Sequence, residues 1–286
     1  MGRPDGQTVI EPFRRIFAAF GIAASAFVVS ACSSTEDFSK DLVEPERADI
    51  TYNKGLALLN AGDTTEAREK FEAIDKEHPY SDYARRALIM SAYLNFKRGR
   101  YPEAVNDGKR YVTLFPASKD AAYAQYIVGE SYFRQIPDIT RDQELSERAI
   151  QAMNEVVQKY PDSEYAEDAR QKVQVAVDQL AGKEMQIGRY YEERRDYLAA
   201  VNRFKIVVTT YQTTRHVEEA LHRLTECYLA LGIVPEAQTA AAVLGHNFPD
   251  SEWYKYSYQL LQKGGVEPNE NQGSWISRAF RGAIGA

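Results

Sequence analysis

Residues 158–169 read QKYPDSEYAEDA, and the construction of this stretch decides the fold. Proline cannot continue a helix, so Pro161 closes the helical pattern before it; Ser163, two residues on, suits the N-cap of the next. The same phrase recurs as KEHPYSDYA at 76–84, TLFPASKDAAYA at 113–124, TTYQTTRHVEEA at 209–220 and HNFPDSEWY at 246–254. Each copy predicts a break between two helices.

An alanine stands twelve residues before each proline or its equivalent: Ala67, Ala104, Ala149, Ala200 and Ala237. A small residue at one fixed place lets two helices approach closely. Gly55 with Ala67 and Phe71, and Gly188 with Tyr191, Ala200 and Phe204, add offsets that resemble the tetratricopeptide (TPR) pattern, a helix-turn-helix repeat. Pro79 to Pro116, Gln212 to Pro249 and Gly55 to Ala92 are each a step of 37 residues, slightly longer than that repeat. The expected fold is therefore all-α, a TPR-like solenoid of about five helix-turn-helix units. Two irregularities interrupt it. An insertion at 134–146 separates the helices of unit three, and 164–193, free of proline, reads as one long central helix or two nearly collinear ones joining the halves.

Ahead of the repeats, Arg14 and Arg15 precede an apolar run from Ile16 to Val29, which ends at Ser30, Ala31 and Cys32. The run is too short to span a bilayer, which takes about 20 residues, and its layout is that of a secretory signal. The only other thiol, Cys227, falls in a helical pattern and is a poor disulfide partner. Val29-Ser30-Ala31-Cys32 resembles the bacterial lipobox, which implies cleavage before Cys32 and covalent lipid on its sulfur and amino group. Several acyl chains, at about 0.8 kcal/mol per buried CH2, suffice for stable anchoring. Ser33 resembles the residue of lipoproteins sent on to the outer membrane. The expected organisation is a removed signal at 1–31, a lipidated linker at 32–47, an N-terminal TPR half at 48–162, the long helix with a C-terminal TPR half at 163–262, and a flexible linker with a short amphipathic helix at 263–286.

Composition excludes several functions. Removing residues 1–31, with three arginines and two acids, leaves 32 basic and 39 acidic residues and a net charge of −7. Such a surface is a poor nucleic-acid partner. His78, His216, His222 and His246 show no metal-ligand spacing, and neither a phosphate-binding glycine loop nor a GxSxG elbow occurs. Acid pairs such as Glu192-Glu193 and Glu218-Glu219 read as solvated helix faces, and Cys227 as a small core hydrophobe. The expectation is a non-enzymatic chain without metal or cofactor, apart from lipid on Cys32.

TPR arrays line their concave groove with the first helix of each unit, and that resemblance selects the candidate surface. Counting from Ala48, Arg85 and Ala122 places Tyr52, Tyr93, Phe96, Tyr123, Tyr126 and Phe133 in the N-terminal groove, with Glu130 among them. Tyrosines offer contact area at little entropic cost, so this groove suits an extended peptide with large apolar side chains. Counting from Ala181 and Glu218 gives a charged C-terminal lining of Arg189, Glu192, Glu219, His222 and Glu226, fit for a folded partner. In the tail, Trp275, Ile276 and Phe280 share a helical face beside Arg278 and Arg281, as in a helix that docks on a partner or an anionic membrane.

The lipobox cysteine, the five units, YPDSEYAEDA, LAGKEMQIGRYYEERRDYLAAVNRF and LGHNFPDSEWY together resemble the BamD family in its alphaproteobacterial form. That likeness covers nearly the whole chain after Cys32. It implies a lipid-anchored subunit on the periplasmic face of the outer membrane, part of the β-barrel assembly machine, with neighbouring Bam lipoproteins. Its N-terminal half would receive the C-terminal segment of unfolded barrel proteins, and its C-terminal half the POTRA region of BamA. Arg203, within AAVNRF, matches the family position that pairs with an acid of BamA. The rival is another outer-membrane TPR lipoprotein serving cell-wall or secretion machinery.

Overall fold

The computed structural model describes residues 45–284; the signal, Cys32 and most of the 32–47 linker lie outside them. Twelve helices occupy this span and no strand does. They pair as the repeat predicts: α1 (Ala48–Asn60) with α2 (Thr64–Glu77), α3 (Asp82–Lys97) with α4 (Tyr101–Leu114), α5 (Ala121–Phe133) with α6 (Glu144–Lys159), the second part of α7 (Ala166–Glu193) with α8 (Tyr197–Thr210), and α9 (Val217–Ala230) with α10 (Val234–Asn247). Then follow α11 (Glu252–Lys263) and α12 (Trp275–Ile284). First helices of neighbouring units also touch, α1 with α3, α3 with α5 and α5 with α7, as a solenoid requires.

The repeat signals each have a structural cause. Ala67, Ala104, Ala200 and Ala237 are fully buried and Ala149 nearly so, at the packing contacts between helices. The turns inside units one, two and five place Gly62, Gly99 and Gly232 at positive φ; the same turn in unit four puts Arg195 there, at 63°. Asp63 and Asp196 then cap α2 and α8 by accepting from the amides of Glu66 and Ala199. The expected hydroxyl caps after the prolines form at two copies, where Ser81 accepts from Ala84 N and Ser251 from Trp253 N. At two others the hydroxyl turns back: Ser163 donates to Tyr160 O and Thr214 to Tyr211 O, satisfying carbonyls at the end of the preceding helix.

α7 is one helix of 28 residues. The insertion is a fixed loop, shorter than expected because α6 begins at Glu144. It lies along α7, with Gln179 donating to Pro137 O at 3.1 Å and Lys183 to Arg141 O at 3.2 Å.

The tail corrects the sequence reading. The 263–274 segment is tied to α10: Gln238 Nε2 donates to Glu267 O at 2.7 Å, and Asn271 N donates to Thr239 Oγ1 at 3.1 Å. α12 then packs on α8 and α10 of the same chain. Ile276 and Phe280 are buried in the C-terminal core, Trp275 donates to Tyr228 OH at 3.1 Å, and Gln212 donates to Ala279 O at 3.1 Å. An apolar helix face buries itself against the nearest complementary surface, and here the chain supplies it.

Candidate functional site

The six aromatic residues expected in the N-terminal groove are all half-buried, and each packs on a neighbour within the chain. Tyr52 sits 5.4 Å from the Phe71 ring and 5.5 Å from Tyr83; Phe96 lies 6.0 Å from Tyr101. Tyr93 packs against the cores of units one and two together. Tyr123 and Tyr126 meet through a ring the repeat count did not assign, Tyr165, at 5.3 and 5.1 Å. Burial first, then the neighbouring phenols Tyr93, Tyr165 and Tyr126, pushes the Tyr123 hydroxyl up to about 12, so it stays a protonated donor.

At unit three an ionic cluster closes the row. Lys172, from the first part of α7, lies over the rings of Tyr126 and Phe133 at 5.1 and 5.9 Å. It donates to Tyr126 OH at 2.7 Å, pairs with Asp168, and stands 3.2 Å from Glu130 Oε2. Arg134 holds the other oxygen, Oε1, at 2.8 Å. Burial disfavours the Lys172 ammonium, but the hydrogen bonds to Asp168 and Tyr126 and the Glu130 charge outweigh it and raise its pKa. This face can grip apolar side chains, with phenol donors and one fixed ammonium beside them.

In the C-terminal half the charged residues of the same count stand close together. Arg189 donates to Glu219 at 2.9 Å, Arg223 to Glu226 at 2.9 Å, and Arg223 stands 3.6 Å from Glu192. His222 shares a hydrogen bond with Ser257 at 2.9 Å and stacks 5.3 Å from Trp253. Burial pushes the Glu192 carboxyl up to about 7, against the opposing charge of Arg223. The Cys227 thiol, 3.6 Å from Glu192, is buried and raised in pKa by burial and then by that acid, the reverse of a reactive thiolate. Arg203, on the α8 face toward α7, pairs with Glu184 at 3.1 Å and remains partly exposed. Trp275, Ile276 and Phe280 are spent on the chain's own core. Cys32 lies outside the described residues.

Among the described residues no group of three His, Cys, Asp or Glu side chains could hold a metal ion, and no helix is long and apolar enough to cross a membrane. The fold defines a helical-repeat protein of the TPR type. The sequence profile of YfiO, described as an outer membrane lipoprotein, matches residues 45–244. A Caulobacter vibrioides protein named outer membrane protein assembly factor BamD is 42% identical over 251 residues, covering 88% of this chain and 81% of that one. Its namesakes are 40% identical in Rickettsia prowazekii, over 82% of this chain and 92% of theirs, and 31% in Neisseria meningitidis serogroup A, over 81% and 91%. The chain belongs to the YfiO/BamD family. Among solved structures, the Thermus thermophilus TPR protein TTC0263 is 21% identical, covering 75% of this chain and all of that one, with a TM-score of 0.34. The repeat architecture therefore rests on the helix pairing described above.

Proposed function

We propose that this chain is a non-enzymatic, lipid-anchored scaffold of outer-membrane protein assembly, facing the periplasm. The observation that carries the reading is the 42% identity to a BamD over 88% of the chain. Lipid on Cys32 is its only covalent addition. The N-terminal row of Tyr52, Tyr93, Phe96, Tyr123, Tyr126 and Phe133 receives the C-terminal segments of unfolded barrel proteins. The C-terminal half binds the POTRA region of BamA, with Arg203 reaching an acid there, and other Bam lipoproteins complete the assembly.

Physical chemistry supports this division. Half-buried tyrosines are ordered before a ligand arrives, so binding costs little side-chain entropy. Arg203 uses one nitrogen on Glu184, and a guanidinium has further N–H donors for a second carboxylate.

The test is affinity purification of the lipidated protein from solubilised outer membranes, followed by mass spectrometry. BamA should dominate and be lost with Arg203→Glu, while Tyr93→Ala with Tyr126→Ala should weaken crosslinking to a barrel's C-terminal peptide and keep BamA. Recovery of cell-wall or secretion components in place of BamA would defeat the proposal. Loss of both contacts in either variant would defeat the division between halves.

A further inference from the structure

A groove of about 380 Å³ opens where the insertion loop meets α7, outside both repeat faces already described. Its lining is Ile139 and Thr140 from the loop and Lys183, Gln186, Ile187, Tyr190 and Tyr191 from α7. Tyr190 is half exposed and stands edge-on to Tyr191 at 5.6 Å. Isoleucines and tyrosines in a concave site are what an apolar anchor needs, since tyrosine and arginine dominate the energetics of protein interfaces.

The rim is basic on a chain that is acidic overall. Lys183 lines the groove, and its only hydrogen bond among the described residues is to the Arg141 backbone carbonyl. The Arg194 guanidinium lies 4.7 Å over the Tyr190 ring. Neither Lys183 nor Arg194 belongs to an ion pair among the described residues, whereas Arg134, Arg189, Arg203, Arg215 and Arg223 all do. The nearby acids of the loop are occupied locally: Asp138 accepts from Thr140 N and Asp142 from Glu144 N. The chain's own amphipathic tail does not cover the groove, because α12 is packed on α8 and α10.

We infer that this groove is a docking site for a partner protein segment carrying a large apolar anchor flanked by carboxylates. The anchor enters between Ile139, Ile187 and Tyr190, and the flanking acids meet Lys183 and Arg194. Cations without carboxylates of their own favour an acidic segment and repel a basic one, so the rim sets specificity while the apolar floor supplies affinity. The site is separate from the Arg203–Glu184 pair, where the cation is already partnered.

The probes are two labelled synthetic peptides with the same leucine-phenylalanine centre, one flanked by glutamates and the other by lysines. Fluorescence anisotropy reads their binding to the whole chain from Cys32 onward, with Cys32→Ala to keep it soluble. The acidic peptide should bind more tightly, with salt-sensitive affinity, and lose about tenfold with Ile187→Asp. Lys183→Glu combined with Arg194→Glu, both at the solvent edge, should invert the preference and keeps the test readable should Ile187→Asp unfold. Arg203→Glu should leave the peptide bound even where BamA is lost, which separates this site from the proposed BamA contact. Equal binding of the two peptides, no binding at millimolar concentration, or binding indifferent to all these variants would overturn the inference. So would concentration-dependent dimerisation abolished by the same variants, which would make a second copy of the chain the occupant.

Discussion

Gly188 on α7 and Phe204 on α8 are in direct contact: a Cβ on the glycine would stand 2.4 Å from Phe204 Cε1. The first unit repeats the pair, with Gly55 leaving the same space for Phe71 at 2.8 Å. Both rings are fully buried. Alanine in place of Gly188 gains about 1 kcal/mol of helix propensity. Against that, overpacking a closed core costs about 1–3 kcal/mol, and Phe204 has Met185, Val201 and Leu224 in its own core cluster with no open side to retreat to. Gly188→Ala should therefore be destabilised by up to about 2 kcal/mol in urea unfolding at constant m-value. A stabilised variant would mean that the ring moves freely.

Arg195 stands in the left-handed backbone region at φ 63°, in a turn where units one, two and five each use glycine. A non-glycine residue held there costs about 1–2 kcal/mol, and glycine gives some of that back through its greater freedom in the unfolded chain. The Arg195 side chain is exposed and in none of the ion pairs described. Arg195→Gly is expected to raise stability by about 0.5–1 kcal/mol, visible as a higher urea midpoint. Arg195→Ala should not, because alanine keeps the Cβ that causes the strain.

The repeat was legible because its signals are local chemistry that cannot be substituted cheaply: prolines where helices stop, and alanines and glycines where they touch. Once the unit starts were counted, the half-buried aromatics of the first helices could be named as well, and their service as a binding groove is the proposal made above. Tyr165 and Lys172 were not legible, because one lies immediately before α7 and the other in its first part, ahead of Ala181, in a stretch the count assigned to no unit; a side chain's reach across a groove is not written in its own periodicity. The docked tail escaped for a related reason. An amphipathic pattern states that a helix has an apolar face and leaves the covering surface unnamed, and that surface is formed by residues such as Gln212 and Tyr228, tens of positions away.

That docked tail makes a prediction of its own. Phe280 is buried against the C-terminal core, with its ring 6.4 Å from Phe248 and edge-on to it, while Lys205 lies 5.0 Å over Trp275. Phe280→Ala should cost about 3–5 kcal/mol, the range for truncating a core aromatic, and should speed proteolysis after Lys263. Trp275→Phe keeps an aromatic ring, though a smaller one, and loses the hydrogen bond to Tyr228, which costs at least about 1 kcal/mol. Unaltered stability and protease resistance in Phe280→Ala would show that the tail contributes nothing to the fold.

Glu192 supplies the pH dependence of the C-terminal half. Burial raises its carboxyl from 4.5 to about 7, the nearby Glu226 charge acts in the same direction, and Arg223 acts against both. The folded protein therefore holds this proton more tightly than the unfolded chain does. The stabilisation is complete below about pH 4.5 and is lost as pH rises through about 7. Glu192→Gln keeps the shape and removes the titration. Arg223 is not left unpaired, since Glu219 and Glu226 both remain on it, at 3.4 and 2.9 Å. Relative to the parent chain, the variant should gain stability on the order of 1–2 kcal/mol between pH 5 and pH 8, the gain accruing evenly from about pH 5 to about pH 7 and levelling off above that. Urea unfolding of both proteins across that range measures it. A difference independent of pH would mean that Glu192 is ionised throughout, held so by Arg223, and that the charged lining of the C-terminal groove carries its full negative charge at neutral pH.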